Sequence, residues 1–127
     1  MSRLLRNAIQ TPDGTILESK TRHDYKSYKD ANGEWYMVDG GLDYLRRSVN
    51  AEDPVDLRLM DEEPHSVLRH AVTWGTYGKE GDQPLSRVTI ADMDTEHLEA
   101  VLDTQMGMYP QVSSLMEAEL KFRKYGY

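Results

Sequence analysis

Apolar positions change their spacing along the chain, and the change divides it into strands and helices. Ala8-Ile9 and Ile16-Leu17 flank Pro12-Asp13-Gly14, a turn signal between two short strands. Tyr25 and Tyr28 precede Asn32-Gly33, and Trp35, Tyr36, Met37 and Val38 follow it. Asn-Gly between aromatic-rich runs predicts a second hairpin, with a type I′ turn and positive φ at both central residues. After Asp39-Gly40-Gly41, the residues Leu42, Leu45 and Val49 recur at helical spacing and predict a short helix. The same stretch can instead alternate as a strand with Leu45, Arg47 and Val49 on one side. Val55, Leu57 and Leu59 alternate with polar residues, which predicts a half-buried strand.

Further on, helical spacing takes over. "EEPHSVLRHAVTW" presents Val67, Leu68 and Ala71 on one face, with Asp61 or Glu62 as cap and Pro64 in the first turn. Gly75 is then the left-handed residue that closes the helix. "LSRVTIADM" predicts a strand with Val88 and Ile90 on one side. Asp94 caps a helix carrying the stripe Leu98, Val101 and Leu102, and Met93 and Leu98 occupy the positions of a hydrophobic staple. Pro110 opens a last helix with Val112, Leu115, Met116 and Leu120 inward. Lys121, Arg123 and Lys124 crowd its C-terminal end, where the helix dipole favours cations. Strands first and helices later give one small α+β domain over residues 1–127, N-terminal antiparallel hairpins packed with C-terminal helices.

Composition narrows the function classes. The chain has 127 residues, 39% hydrophobic and 29% charged, enough for one modest core. It contains no cysteine, which removes disulfides, thiolate metal sites and cysteine nucleophiles. The formal charge of −7 disfavours a sequence-independent duplex binder. No apolar stretch is long enough for a signal segment or a membrane span.

Candidate chemistry is sparse. "WGTYGKEGDQPL" holds Gly75, Gly78 and Gly81 around Lys79, but Glu80 follows the lysine and the flanking elements run helix then strand. A phosphate loop needs Ser or Thr there and the opposite order, so the segment reads as a helix stop and crossing loop. Its outer side offers Trp74 and Tyr77 as aromatic anchors and Lys79 as a charge contact. His23 beside Asp24 invites an acid–base reading, which needs a further acid or His65 because neighbours on a strand face opposite ways. His23, His65, His70 and His97 lack metal spacing, and neither a metal nor a cofactor is expected. Asp39-Gly40-Gly41, followed by Arg46 and Arg47, reads either as a helix start that holds an anion or as a bulge where two strands end. About half of the aromatics Tyr25, Tyr28, Trp35, Tyr36, Tyr44, Trp74 and Tyr77 are expected to build the core of the sheet.

Taken as a set, "TPDGTILESKTRHDYKSYKDANGEWYMVDGGLDYLRR", "WGTYGKEGDQPL" and "ADMDTEHLEAVLDTQ" resemble a family of small proteins of tailed bacteriophages and prophages. The likeness runs from about Ile9 to Arg123 and carries over no catalytic residues. It implies an accessory protein made in the host bacterial cytoplasm that acts by binding, in host takeover or counter-defence. The candidate partners are a host protein or a small anionic, nucleotide-like ligand, with a homo-oligomer as a further arrangement and no membrane. The binding surface combines Arg22, His23, Asp39, Arg46, Arg47, Trp74, Tyr77 and Lys79. Two alternatives stand beside this: a small hydrolase or nuclease using His23 and Asp24 with a further acid, and a minor virion component.

Overall fold

Strand pairing and helix packing are both present in the computed structural model, which describes residues 2–78, 81–105 and 107–126. The class is α+β, and the chain divides into two compact units, Met1–Glu62 and Glu63–Tyr127.

The first unit is built from antiparallel strands. β1 (Leu4–Gln10) pairs with β2 (Ile16–Ser19) in the register Asn7↔Ser19 to Gln10↔Ile16. β3 (Lys26–Lys29) pairs with β4 (Trp35–Asp39), Lys26↔Val38 to Lys29↔Trp35. Both expected hairpins form, and both close in the same way. The Gly14 amide donates to the Thr11 carbonyl at 2.9 Å and the Thr11 amide to the Thr15 carbonyl at 2.8 Å. In the second, the Gly33 amide donates to Asp30 and the Asp30 amide to Glu34, each at 3.0 Å. These are three-residue loops ending in a left-handed glycine, φ 94° at Gly14 and 82° at Gly33. The second turn is therefore not type I′: Asn32 does not take positive φ. Asp30 decides the outcome, because its Oδ1 accepts the amides of Asn32 and Glu34, both at 2.9 Å. In the first turn the Thr11 hydroxyl donates to Asp13, as does the Tyr28 hydroxyl at 2.6 Å. These bonds hold the Asp13 carboxyl well below the usual range.

On its other side β1 meets β6 (Val55–Asp56) and β7 (Leu59–Met60), with an irregularity between Leu4 and Arg6. The single strand expected through Val55, Leu57 and Leu59 is thus broken in two, and Val55 is exposed. Asp56 marks the break by accepting the Arg58 amide at 3.0 Å and its Nε at 2.7 Å. The helix expected from Leu42 does not form. That stretch is a turn leading into β5 (Arg46–Arg47), which pairs with β4. Ile9, Leu17, Tyr36 and Val38 form a buried cluster with Tyr28 packed on it. Fewer of the aromatics enter the core than expected: Tyr36 is buried and Tyr28 packs on the cluster, whereas Tyr25, Trp35 and Tyr44 stay exposed.

The second unit begins with α1 (His65–Ala71). Pro64 stands at its N-cap, just before the first turn, and no side chain caps the helix, so neither Asp61 nor Glu62 does. Gly75 does not close it. The helix ends at Val72 in extended conformation, and Gly75 lies inside β8 (Thr73–Thr76). Val72 is buried, and its carbonyl accepts the Ile90 amide at 3.1 Å, which draws the chain straight from helix into sheet. β8 pairs with β9 (Ser86–Thr89), Trp74↔Val88 and Gly75↔Arg87. The expected crossing loop is therefore a β-hairpin, with Trp74 on a strand.

A 3-10 turn (Ile90–Asp92) leads to α2 (Thr95–Thr104) and then α3 (Pro110–Tyr125). Asp94 occupies the N-cap of α2 but makes no side-chain capping bond. Met93 and Leu98 are both buried, as the staple requires. Pro110 opens α3, and Val112, Leu115 and Met116 are buried, while Leu120 is half-buried. α3 packs against both α1 and α2. No helix among the described residues is long and apolar enough to cross a membrane.

Candidate functional site

The segment Asp39–Arg47 is held by a buried polar knot. Asn7 is inside the first unit, and its Nδ2 donates to the carbonyls of Asp39 at 2.9 Å, Gly41 at 3.1 Å and Tyr44 at 3.4 Å. Ser19, also buried, accepts the Gly41 amide at 2.8 Å and donates to the Asp24 carbonyl at 2.7 Å. Backbones approach too closely here for a side chain: a Cβ on Gly41 would lie 2.3 Å from the Thr21 carbonyl carbon, and one on Gly40 2.0 Å from the Tyr44 oxygen. The glycines end β4 and fold the chain against the Thr21 turn. With no helix after them, the proposed anion-holding helix start does not exist.

This packing sets Gly41 against Thr21, at the start of the turn that carries Arg22 and His23. The cations, however, diverge. Arg46 pairs with Asp39 and Arg47 with Val38, so the two arginines point to opposite faces of the sheet. Arg47 donates to Asp56 at 3.1 Å. Burial pushes the Asp56 carboxyl up, but bonds from Arg58 and Arg47 outweigh it and hold the group low. A hollow of about 330 Å³ opens beside this pair, lined by Arg47, Ser48, Val49, Asp53, Pro54 and Asp56. With two carboxylates to one already paired guanidinium, it does not suit an anion.

Asp24 is likewise engaged. Its Oδ2 accepts the Lys20 amide at 2.9 Å and its Oδ1 lies 3.3 Å from the Lys26 ammonium. It serves the turn and does not orient His23, which is exposed. No group of three or more His, Asp or Glu among the described residues could hold a metal ion.

Trp74 and Tyr77 belong to the second unit. Trp74 is half-buried on β8, and Tyr77 is exposed where the hairpin loop begins. Lys79 lies outside the described residues.

Two features were missed from sequence. The first is the outer face of the sheet β3-β4-β5. Strand alternation and pairing place Trp35, Met37, Ser27 and Lys29 on this face, opposite the buried Tyr36 and Val38. Trp35 is 59% exposed, with the Lys29 ammonium 5.8 Å from its ring, and Tyr25, just before β3, is 58% exposed. The legible signal was the alternation Trp35-Tyr36-Met37-Val38, which forces one aromatic outward.

The second is a buried carboxylate on α3. Glu119 is fully buried, and all its acceptor positions are filled. Oε1 accepts Arg69 Nε at 2.8 Å and His65 Nε2 at 2.9 Å; Oε2 accepts Arg69 Nη2 and Arg123 Nε, both at 2.8 Å. Burial pushes its carboxyl up, but the bonds from Arg69, Arg123 and His65 prevail and bring it down to about 2. The same bonds raise Arg69. Arg123 also donates to Thr95 at 2.9 Å and to the carbonyls of Ile90 and Ala91 at 3.2 and 3.1 Å. Arg69 lies over the Phe122 ring at 4.7 Å. A carboxylate so saturated has no lone pair left for a substrate; it fastens α1, α3 and the start of α2 together. Arg123 thus turns inward, beyond the dipole role its position suggested.

No family model, no curated protein and no solved structure matches the chain.

Proposed function

We propose that this chain is a non-enzymatic bacteriophage accessory protein that binds a host protein in the bacterial cytoplasm and blocks it by occlusion. One observation carries the binding reading: Trp35 stands 59% exposed on the outer sheet face that it shares with Met37, and Tyr25, just before β3, is 58% exposed. Large aromatics left in water on a rigid scaffold are typical anchors of protein interfaces. The mixed charges around them, Lys29, Asp39 and Arg46, suit the rim of such an interface. A protein partner is favoured over a small anion because Arg46 and Arg47 face opposite ways and Arg47 is already paired. The phage setting rests on the motif resemblance alone.

Affinity capture from infected cells tests the reading, comparing the wild-type chain with a Tyr25→Ala/Trp35→Ala variant. A host protein recovered with the first and lost with the second, at unchanged thermal stability, is the expected result. Equal recovery with both would remove the sheet face from the interface. Recovery of the chain in purified virions would replace the reading with a structural role.

A further inference from the structure

The free edge of β3 has a self-complementary pattern. Within the sheet order β3-β4-β5, β3 is an outer strand, and all its residues but Tyr28 are exposed. The Asp30 amide donates to the Glu34 carbonyl, which makes that pair hydrogen-bonded. Antiparallel ladders alternate, so the pairs Tyr28–Tyr36 and Lys26–Val38 are hydrogen-bonded too. The backbone groups of Ser27 and Lys29 therefore point away from β4.

We infer that a second copy of this chain pairs antiparallel along this edge, about a two-fold axis at Tyr28. In that register Ser27 faces Lys29 of the other copy and each pair exchanges two N–H···O bonds. Lys26 then faces Asp30 of the other copy, an attractive pair at each end of the ladder. Asp30 uses Oδ1 for its own turn, which leaves Oδ2 for the contact. Neighbouring registers are worse. An axis at Lys29 sets two lysines opposite each other. An axis at Ser27 sets Asp24 against Asp30, and it calls on the Tyr25 amide, which already donates to the His23 carbonyl at 3.1 Å. The paired sheets would join their outer faces and present Trp35 twice. This inference stands on the strand edge and does not depend on the host-partner reading.

Sedimentation velocity on the full chain across the micromolar range tests it, with Ser27→Pro as the edge variant. Proline there removes an outward amide and leaves the β3–β4 ladder intact. The expected result is a concentration-dependent dimer for the wild type and a monomer for Ser27→Pro with unchanged circular dichroism. Because the chain has no cysteine, a second test is available. An oxidised mixture of Ser27→Cys and Lys29→Cys chains should form a disulfide-linked pair, while each variant alone should not. A wild type that stays monomeric throughout overturns the inference. So does a dimer indifferent to Ser27→Pro, or a mixture that cross-links no more than its components.

Discussion

Replacing Glu119 by Gln keeps the side chain's volume and removes its charge. Arg69 and Arg123 then lose the anion that both contact at 2.8 Å. Removing one partner of a buried ion pair costs about 3–5 kcal/mol. The two arginine side chains are 18% and 22% exposed, so they recover some hydration, and the lower end of that range applies. An independent route gives a similar figure. The Glu119 carboxyl falls from its ordinary 4.5 to about 2, and at about 1.4 kcal/mol per pH unit this is worth about 3 kcal/mol. Because the folded value is the lower one, that stability is fully present above the unfolded pKa and disappears as pH falls from about 4.5 through 2.

Urea unfolding reads both effects. Trp35 lies in the first unit and Trp74 in the second, so a Trp35→Phe background makes the fluorescence report on the unit that holds Glu119. At pH 7 Glu119→Gln should lower stability by about 3 kcal/mol. Near pH 2 the wild-type carboxyl takes up its proton, and the gap should shrink to about 1 kcal/mol or less. A gap that stays constant from pH 7 to pH 2, or one below about 0.5 kcal/mol at pH 7, would refute the reasoning.

Gly41→Ala and Gly14→Ala should separate backbone strain from steric conflict. Both glycines have positive φ, but a Cβ at Gly14 meets nothing within 4 Å, whereas at Gly41 it meets the Thr21 backbone at 2.3 Å. Thermal unfolding should show a loss of about 1 kcal/mol at Gly14 and more than about 3 kcal/mol at Gly41. Asn7→Leu leaves the carbonyls of Asp39, Gly41 and Tyr44 without their buried donor and should cost about 2–4 kcal/mol by chemical denaturation. Arg47→Ala breaks a half-exposed pair with Asp56 and should cost no more than about 1 kcal/mol in the same assay.

What the sequence disclosed depended on range. Turns whose chemistry lies within five residues were readable: Pro12-Asp13-Gly14 and Asn32-Gly33 marked both hairpins. Only the turn type escaped, because Asp30 outweighs the Asn-Gly preference through two side-chain bonds. Glycines set by tertiary contact misled. Gly40 and Gly41 looked like a helix start because Leu42, Leu45 and Val49 are spaced for one, whereas their need for glycine comes from Thr21 and Tyr44. Gly75 looked like a helix stop, yet it faces Arg87, whose guanidinium lies across it to reach Thr73 at 2.9–3.0 Å. The strand there is dictated by its pairing with β9, which no local window contains.

The ionic cluster was hidden for a different reason. Val112, Leu115, Met116 and Glu119 follow one helical stripe, so the carboxylate sat in an apolar register from the outset. An acid on that stripe demands cations on the facing element. Arg69 and His65, four residues apart on α1, supply them, and Arg123 four residues beyond Glu119 completes the set. Much of the polar chemistry that drew notice from sequence has an internal use: Asp24 in its turn, Arg47 on Asp56, His65 on Glu119. Trp35, by contrast, keeps 59% of its surface in water, and the ring contact that the structure gives it is with the Lys29 ammonium, 5.8 Å away on the same outer face.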